Sequence, residues 1–421
     1  MSGAGTLWIV KQYAVTPEQA GGTRQFDFAK ELVKRGWRVV VWASSFSYLE
    51  HRDVVLSPDE RWRVEEVEGV LFVWLRSVPY SRNDWRRVVN ILHFAWALYR
   101  YGRRLPFRAQ PRIPLPDAIL AFSVPLFAPL AAYFLARSYR ARFLVEVGDL
   151  WPQTLVDMGV LPKRHPLTAM LRALERFLYR RSRRIVVALP YAVDYLRNLL
   201  IEPERIVYLP NGVDLERFSG VLDGDDRVPD GEGNRPFTVM YVGAHGPANA
   251  LDTLLEAAKI LQERGYSGIR IVLVGDGQEK PRLQRLAREW RLDGVEFRGA
   301  VPRREVPQLL READIAVFTL RDLPLYRYGI SLNKLFDYMA AGRPVLLAGR
   351  APDNPVEKAR CGLTVPPEDP EALAEALLRL LQMPPEERKA LGRRGREYVE
   401  QHHAIPVLTE RLLECLEEGR Q

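Results

Sequence analysis

The sequence predicts an α/β protein made of two doubly wound Rossmann-like domains that face an interdomain cleft. Three observations predict this fold. The chain has 421 residues, which at roughly 100–200 residues per domain suggests two domains. Short apolar runs alternate with amphipathic segments, as in parallel sheets covered by helices on both faces. The alternation stops near residue 213 and starts again at Phe237.

The first domain is expected to span residues 1–213 and to begin with a strand and a helix at 23–35. Its strands are predicted at 7–10, 39–42, 118–122, 143–147, 185–188 and 206–209. One run, 118–136, has 19 residues without a charge, long enough to span a bilayer. Pro125 and Pro129 interrupt it, so we interpret it as a strand, a turn and a buried helix.

The second domain is expected at 237–400, after a linker at 214–236 that is rich in Gly, Asp and Pro. Its strands are predicted at 238–242, 270–274, 295–297, 315–319 and 345–347, and its helices at 251–264, 281–290, 304–311, 331–341 and 371–381. A last helix at about 404–417 would pack back across the first domain. Ligands of open α/β sheets bind at the carboxyl ends of the strands, so two such edges favour an enzyme with a donor and an acceptor substrate.

The composition excludes several classes of protein. Hydrophobic residues make up 47% and charged residues 27%, as in a globular protein with an ample core. The two cysteines, Cys361 and Cys415, are too few for a disulfide framework or a Cys-based metal site, and they indicate a reducing compartment. Residues 1–10 lack the pattern of a secretion signal, so we expect a cytoplasmic protein.

Charge is unevenly distributed along the chain. Residues 1–210 hold 31 Lys and Arg against 19 Asp and Glu, a net charge of +12, whereas residues 211–421 hold 30 against 34, a net charge of −4. This asymmetry suggests that the first half meets something anionic: nucleic acid, a membrane surface or a phosphorylated substrate. An arginine-rich surface that reflects genome composition or heat adaptation remains the alternative.

Three glycine-containing turns follow predicted strands. Gly21-Gly22-Thr23 precedes the first helix, where backbone N–H groups and the helix N-terminus could meet a phosphate. Tyr241 to Gly246 and Gly275-Asp276-Gly277 occupy strand exits in the second domain. Plain turn chemistry is the alternative for each. The full Gly-x-Gly-x-x-Gly fingerprint is absent from the first turn, which argues against a nicotinamide cofactor.

The segment from Arg327 to Pro344 carries the densest chemistry. Gly329 to Ser331 can open a helix, with Ser331 as its N-cap. Lys334 then falls in the first turn, where a cation is unfavourable unless an anion is bound. Asp337 follows on the same face. Amides and an ammonium for a diphosphate, then a carboxylate for hydroxyls, suit a sugar nucleotide; an ordinary i,i+3 surface ion pair is the alternative.

This segment resembles the donor-binding helix of the family 4 retaining glycosyltransferases, which have the two-domain GT-B fold. Within that family the chain is most similar to the WbuB-like enzymes of bacterial surface-polysaccharide assembly. The resemblance covers nearly the whole chain, and its further markers are Gly21-Gly22-Thr23, Glu146-x-x-Asp149-Leu150-Trp151-Pro152, Pro210-Asn211-Gly212-Val213-Asp214, His245-Gly246 and Val274-Gly275-Asp276-Gly277.

The resemblance implies a role for each matching residue. Asp149, Lys334 and Asp337 are the candidate catalytic residues. The donor diphosphate would be bound by Gly21, Gly22, His245, Gly246, Gly329, Ile330 and Ser331, with Lys334 and Arg327 nearby. Gly275, Asp276, Gly277 and Val301 would frame the nucleobase, and Asp337 would hold the ribose. Glu146, Asp149 and Trp151 would lie on the acceptor side.

The chain departs from the family pattern at several positions. Gly329 replaces the first Glu of the Glu-x7-Glu motif, and Gly148 replaces a His that often precedes the residue equivalent to Asp149. Ala244 and Asn249 occupy the region where many relatives carry an Arg and a Lys. The candidates to supply the missing charge are Lys334, Arg321 and Arg327.

The resemblance implies transfer of a hexosyl or N-acetylhexosaminyl group from a nucleotide-diphosphate sugar, with retention at the anomeric carbon. UDP is expected because it is the family's commonest nucleotide, and the acceptor is expected to be a saccharide on polyprenyl diphosphate. We expect no cofactor and no metal. The letters Asp223-Gly224-Asp225-Asp226 resemble a metal-binding motif but fall in the predicted linker, and no protein nucleophile is evident.

A basic, aromatic segment lies at 76–112, with nine arginines and one acidic residue, Asp84. Its aromatic residues are Trp85, Phe94, Trp96, Tyr99, Tyr101 and Phe107. This mixture suits an anionic headgroup boundary, which would make the protein peripheral on the inner face of the plasma membrane. The alternative is that the aromatics are core and the arginines a solvated face. No nucleic-acid motif accompanies the segment, so nucleic acid is not an expected partner.

Two other functions remain open from the sequence. A sugar-nucleotide epimerase can use a similar pair of domains, although the helix from Ser331 argues against it. A non-catalytic protein that binds sugar nucleotides is compatible with loss of the first motif Glu at Gly329.

Overall fold

The structure is a computed structural model that describes residues 5–82, 84–222, 235–330, 333–350 and 352–418. The described chain divides into two compact units. Unit 1 comprises residues 5–16, 22–210 and 405–418, and unit 2 comprises 17–21 and 211–404, apart from the gaps just given. The first domain was expected to end at 213; the division falls at 210, and residues 17–21 group with unit 2. Most of the predicted linker, 223–234, lies outside the described residues.

Unit 1 contains one eight-stranded sheet and a small two-stranded one. Its strands are β1 (Thr6–Val10), β2 (Arg38–Ser44), β3 (Phe46–Ser47), β4 (Arg52–Asp53), β5 (Trp62–Val67), β6 (Val70–Leu75), β7 (Ala118–Phe122), β8 (Arg142–Val147), β9 (Arg184–Val187) and β10 (Ile206–Tyr208). The large sheet has the order β10-β9-β8-β7-β1-β2-β6-β5, and every neighbouring pair is parallel except β5 with β6. Strands β5 and β6, which widen the sheet at one edge, were not predicted from the sequence.

The helices of unit 1 before its last one are α1 (Arg24–Lys34), α2 (Trp85–Gly102), α3 (Phe127–Tyr139), α4 (Gln153–Asp157), α5 (Pro166–Arg181) and α6 (Ala192–Arg197). The central strand β1 is buried at all five positions because parallel strands with helices on both faces meet no solvent. The run 118–136 forms strand β7, a turn and most of α3, as predicted. Within the described ranges, no helix is both long enough and apolar enough to cross a bilayer.

Unit 2 contains one six-stranded parallel sheet. Its strands are β11 (Phe237–Val242), β12 (Ile269–Val274), β13 (Val295–Arg298), β14 (Ile315–Thr319), β15 (Val345–Ala348) and β16 (Gly362–Val365). They follow the order β13-β12-β11-β14-β15-β16, so the strand order reverses at β11. The carboxyl ends of β12 and β14 therefore flank the exit of β11, which is the position where doubly wound sheets bind ligands.

The helices of unit 2 are α7 (Ser219–Leu222), α8 (Leu251–Glu263), α9 (Lys280–Glu289), α10 (Val306–Leu310), α11 (Asn333–Ala340), α12 (Pro355–Ala359), α13 (Pro370–Gln382) and α14 (Pro385–His402). The final helix of the chain, α15 (Ile405–Glu417), belongs to unit 1 and packs against α1. Its buried side chains Leu408 and Leu412 join the core formed by α1 and the sheet.

Candidate functional site

Helix α11 is fixed against the exit of β11 in unit 2. Its buried face carries Leu335, Phe336 and Met339, and Gly342, with φ +64°, follows its end as helix-terminating glycines do. The hydroxyl of Tyr338 accepts a hydrogen bond from the N–H of Val242 at 2.9 Å and donates to its carbonyl at 3.0 Å. Because Val242 is the last residue of β11, these bonds hold α11 beside this strand exit.

Lys334 extends from that first turn to the β11 exit. Its Nζ donates to Tyr241 Oη at 2.7 Å and to Asn249 Oδ1 at 2.5 Å, and it lies 4.8 Å from the centre of the Phe318 ring. Burial lowers the pKa of the Lys334 ammonium to about 7. The hydrogen-bond partners are neutral, so an anion that binds here would both stabilise the ammonium and raise its pKa.

Lys334 lies in the region where many relatives carry an Arg and a Lys and where this chain has Ala244 and Asn249. Its ammonium contacts Asn249, the residue in the region where many relatives carry a lysine. A Cβ on Gly243 would lie 3.3 Å from Lys334 Nζ, so the glycine leaves room for the ammonium. Arg321 pairs instead with Asp252 and Glu368. Arg321 also donates to the carbonyl of Pro247 in the loop after β11, so what distinguishes Lys334 is that its hydrogen-bond partners, Tyr241 and Asn249, are neutral.

Asp337 is buried and bound by Arg303, a residue that the sequence analysis did not identify. The Arg303 Nη atoms donate to the two Asp337 carboxylate oxygens, each at 2.5 Å. The carboxylate is 1% exposed and the guanidinium side chain 13% exposed. Lys334 and Asp337 thus have different partners, and the i,i+3 ion pair considered as an alternative is wrong. Ribose binding by Asp337 stays a prediction, and it requires the carboxylate to be shared with Arg303.

Within unit 2, the segment 17–21 is bonded to Arg303 and to its neighbour Arg304. The N–H of Arg303 donates to the carbonyl of Gln19 at 3.2 Å, and the N–H of Arg304 donates to the carbonyl of Pro17 at 3.3 Å. Glu18 also forms an ion pair with Arg304. Gly21, which ends this segment, has φ +137°, a conformation that favours glycine. The predicted contact of Gly21 and Gly22 with a diphosphate is untested.

Positions 275 and 277 require glycine because backbone atoms of the loop after β11 lie too close for a side chain. Their φ values are +142° and +153°, and a Cβ at these positions would lie 1.9 Å from the Gly243 carbonyl oxygen and 2.5 Å from that of His245. Lys280, which the sequence analysis also missed, donates to the carbonyls of Gly275 and Arg298. The alternative that these glycines serve only to form the turn therefore has a structural basis. Contact with a nucleobase stays a prediction for Gly275, Asp276, Gly277 and Val301.

His245 is fully buried beside this turn. Among the described residues neither of its ring nitrogens has a hydrogen-bond partner. Burial, together with the nearby Lys280 and Lys334 ammonium groups, lowers the pKa of His245 to about 4, and Asp276 opposes this shift. The imidazole is thus neutral at physiological pH, and its backbone is fixed by hydrogen bonds with Asp276 and Glu279.

The remaining diphosphate candidates differ in accessibility. Gly329 has φ +104°, which explains why glycine fits where the family carries a Glu, and Ile330 is buried after it. Arg327 is exposed and stacks on Tyr328, to whose hydroxyl it donates. Gly246 is half-buried. Ser331 and its predicted role as N-cap lie outside the described residues.

A second cluster lies in unit 1, at the exits of β1, β7 and β8. Lys11 follows β1, and its Nζ donates to Gln25 Oε1 at 2.6 Å. Burial lowers the pKa of Lys11 to about 8, while the carboxylates of Glu146 and Asp149 oppose the shift and Arg24 adds to it. Lys11 was not among the residues predicted from the sequence, although its place directly after the central strand β1 was an available signal.

The two acidic acceptor-side candidates have different environments. Glu146 is buried; it pairs with Arg24 at 2.5 Å and accepts from Gln25 at 3.3 Å. Arg24 also donates to the carbonyls of Leu209 and Pro210, so Glu146 holds an internal network together. Asp149 is exposed, yet the surrounding protein desolvates its carboxyl and raises its pKa, while Lys11 opposes the rise.

The loop around Asp149 accounts for the missing histidine. A Cβ on Gly148 would lie 2.5 Å from the Phe122 ring, so this ring occupies the space that a histidine side chain would need. Trp151 is half-buried, and its backbone N–H donates to the carbonyl of Asp149. Asp149 is thus the accessible carboxylate of the motif from Glu146 to Pro152.

The described residues contain no group of three or more His, Cys, Asp or Glu side chains arranged to hold a metal ion. The Asp-rich letters at 223–226 fall outside the described part of the chain.

Comparison with known proteins links both units to glycosyltransferases. The family model described as glycosyl transferase 4-like domain matches residues 20–212, and the model described as glycosyl transferases group 1 matches residues 236–383. WbjE of Pseudomonas aeruginosa, named as a glycosyltransferase, is 22% identical over 71% of this chain and 74% of its own. WcaI of Escherichia coli, named as a colanic acid biosynthesis glycosyl transferase, is 23% identical over 60% of this chain and 62% of its own.

Solved structures share the whole fold. Sucrose-phosphate synthase from Thermosynechococcus elongatus has a TM-score of 0.72 at 18% identity, with 98% of each chain covered. WaaG, a glycosyltransferase of lipopolysaccharide biosynthesis, has a TM-score of 0.68 at 17% identity, covering 98% of this chain and 100% of WaaG. Anabaena HepE, solved with UDP and glucose, has a TM-score of 0.66 at 14% identity over 98% of this chain and 100% of its own. With glycosyltransferase models on both units and this fold, the chain belongs to the family 4 glycosyltransferases of the GT-B class.

Proposed function

We propose that this protein transfers a hexosyl or N-acetylhexosaminyl group from a UDP-sugar to a hydroxyl of a saccharide carried on polyprenyl diphosphate, with retention and without a metal. The reaction would serve bacterial polysaccharide assembly in the cytoplasm, at the inner face of the plasma membrane. The role in polysaccharide assembly is supported by the relative WcaI, which is named as a colanic acid biosynthesis glycosyl transferase. The choice of UDP is supported by HepE, which was solved with UDP-glucose.

The observation that carries the proposal is the Lys334 ammonium at the β11 exit. It is enclosed by Tyr241, Asn249 and Phe318, none of which offers a negative charge. A desolvated cation with neutral partners favours an anionic ligand, and a donor diphosphate is such a ligand. The neighbouring glycine turns allow its oxygens to approach the backbone closely.

The proposed chemistry needs no nucleophile from the protein. The bond between the anomeric carbon and the diphosphate oxygen breaks, and the acceptor hydroxyl oxygen bonds to the same face of that carbon. The acceptor proton passes to the leaving diphosphate, so atoms and charge balance. Lys334 stabilises the negative charge that develops on the diphosphate, a contribution of the kind that is worth about 10²–10³ in turnover.

The acceptor would bind at unit 1, where Asp149 is the accessible carboxylate. The Lys11 ammonium lies close enough to influence its pKa. Asp149 could orient the acceptor hydroxyl, because a carboxylate accepts a hydrogen bond from it. Glu146 would act indirectly, by holding Arg24 and Gln25 in place.

The test is a screen of nucleotide sugars by thermal shift, followed by transfer to a polyprenyl-diphosphate saccharide with and without excess chelator. We expect one UDP-sugar to raise the melting temperature and the product to keep the anomeric configuration of the donor. Conversion of the nucleotide sugar without an acceptor would instead identify an epimerase. Binding without transfer to any acceptor would identify a non-catalytic binding protein, and loss of transfer in chelator would contradict metal independence.

A further inference from the structure

Helix α2 of unit 1 is apolar on both of its sides. The inward side buries Ile91, Phe94, Ala97 and Leu98. The outward side, which we call the α2 face, consists of Trp85, Val88, Val89, Leu92, Trp96 and Tyr99, each between 37% and 68% exposed. These positions recur every three or four residues and so form one stripe along the helix. A surface helix normally turns a polar side to water, so the α2 face lacks a partner within unit 1.

The exposed apolar surface continues onto the neighbouring helix. The Tyr99 ring lies 6.4 Å from that of Phe134 on α3, and Phe134 is itself exposed. Phe107, shortly after the end of α2, is 66% exposed. Contiguous apolar patches of this kind mark sites of interaction with other proteins or with membranes.

The charges in the segment that carries the α2 face are almost all positive. Residues 84–116 contain seven arginines and one acidic residue, Asp84, whose carboxylate accepts a hydrogen bond from the backbone N–H of Arg86 at the start of α2. The guanidinium groups of Arg86, Arg100 and Arg103 lie 5.4–5.8 Å from the ring centres of Trp85, Trp96 and Tyr99. The cations therefore lie beside the aromatic stripe, and a fitting partner has an apolar interior beneath an anionic surface.

We propose that the α2 face binds the anionic surface of a lipid bilayer, with α2 lying in the plane of the interface. Tryptophan and tyrosine rings favour the headgroup level, and arginines beside them bind lipid phosphates. The proposal rests on the proposed function in so far as that function needs a membrane-borne acceptor. It goes further because it assigns the membrane contact to one face of one helix.

The inward side of α2 joins this face to the acceptor cluster. Asn90 accepts hydrogen bonds from Gln12 at 2.7 Å and from Tyr13 at 3.1 Å, and it donates to the carbonyl of Val78. Gln12 directly follows Lys11 at the exit of β1. A helix is about 10 Å thick, so the bilayer surface would lie about one helix diameter from the Lys11 loop.

The experiment is flotation of the full chain with vesicles of phosphatidylcholine, with and without phosphatidylglycerol. We expect binding to the anionic vesicles at low salt and its release at high salt. The double variants Trp85→Ser with Trp96→Ser, and Arg100→Glu with Arg103→Glu, should each weaken binding by about 30-fold or more. The matched controls in exposed positions, Leu200→Ser, and Arg285→Glu with Arg288→Glu in unit 2, should bind like the unaltered protein.

A second measurement starts from the unaltered protein, so its main result does not depend on how well a variant folds. Phosphatidylglycerol with brominated acyl chains should quench tryptophan fluorescence of the unaltered protein, and the Trp85 and Trp96 variant should lose that quenching. Absence of quenching and of flotation at low salt would overturn the proposal. So would equal losses in the control variants, or a dimer in light scattering that disappears in the Trp85 and Trp96 variant, since the face would then be a subunit interface.

The outcome separates this proposal from the proposed function. Protein that binds anionic vesicles but transfers no sugar would contradict the function and support the α2 face. Protein that transfers sugar to a water-soluble acceptor but ignores vesicles would do the reverse. If both hold, the Trp85 and Trp96 variant should retain transfer to the water-soluble acceptor and lose transfer to the vesicle-borne one.

Discussion

The guanidinium of Arg303 donates to both carboxylate oxygens of Asp337, across 34 residues of sequence and in a largely buried position. The same arginine is bonded through its backbone to Gln19. A buried ion pair is strongly destabilised when one partner is removed, because the other charge is then left without compensation.

We therefore predict that Arg303→Ala lowers the free energy of unfolding by about 3–5 kcal/mol. The measurement is denaturant unfolding monitored by circular dichroism. The matched control is Arg304→Ala, whose exposed pair with Glu18 should contribute less than about 1 kcal/mol. Equal effects of the two substitutions would show that the buried pair with Asp337 contributes no more to the free energy of unfolding than the exposed pair with Glu18.

The depressed pKa of Lys334 predicts a pH-dependent stability. In the unfolded chain this group titrates near its ordinary value of 10.5, and in the folded protein near about 7. Between these values the unfolded state binds the extra proton, so this contribution to stability rises with pH across the window. Below about pH 7 the full cost of burying the ammonium is present. The variant Lys334→Met should lose this part of the pH dependence in unfolding experiments.

The same group predicts how donor affinity depends on pH. Binding of a nucleotide sugar favours the protonated Lys334, so affinity should be highest below about pH 7 and fall toward pH 9. For calorimetry a nucleotide sugar is a better ligand than a free nucleotide, because the terminal phosphate of a free nucleotide itself titrates near about pH 6. Lys334→Met should bind weakly with a flat profile and lower turnover by about 10²–10³. Lys358→Met, at an exposed lysine, should behave like the unaltered protein, and a steep profile retained in Lys334→Met would assign it to another group.

The turn at Gly275 predicts a large steric effect. Gly275→Ala would bring a Cβ within 1.9 Å of the Gly243 carbonyl oxygen at φ +142°, so we expect a loss of more than about 2 kcal/mol in unfolding free energy. Gly268→Ala meets nothing within 4 Å and should be neutral or slightly stabilising. A neutral Gly275→Ala, measured in the same denaturant series, would mean that the exits of β11 and β12 are less tightly packed than described.

Replacing Asp149 should separate sugar transfer from donor binding and from stability. Asp149→Asn should keep the donor-induced thermal shift, and the melting temperature should not fall, because the neutral amide carries no charge for the protein to desolvate. Transfer to the acceptor should fall at least about tenfold, since the amide loses the charge proposed to orient the hydroxyl. The control Asp194→Asn changes another exposed aspartate of unit 1. Full transfer activity in Asp149→Asn would remove this residue from the reaction.

The sequence by itself determined the two parallel sheets. The apolar runs that became β1, β7, β11 and β14 are buried on both faces, and such strands have a composition that local pattern reveals. It also located the strand exits and the helix that carries Lys334 and Asp337, because turn glycines and helical spacing are local signals. It did not reveal the β5–β6 hairpin, whose half-buried edge strand β5 has a weak pattern.

Tertiary structure alone decided the partners of the charged groups. Lys334 lies at Asn249 because β11 is flanked by β12 and β14, a strand order that no local periodicity encodes. Asp337 meets Arg303, and Glu146 meets Arg24, across long stretches of chain. Phe122 fills the space beside Gly148 for the same reason. Burial sets the cost of each charge and packing selects its neighbour, so these contacts depend on how the elements assemble and not on their sequence spacing.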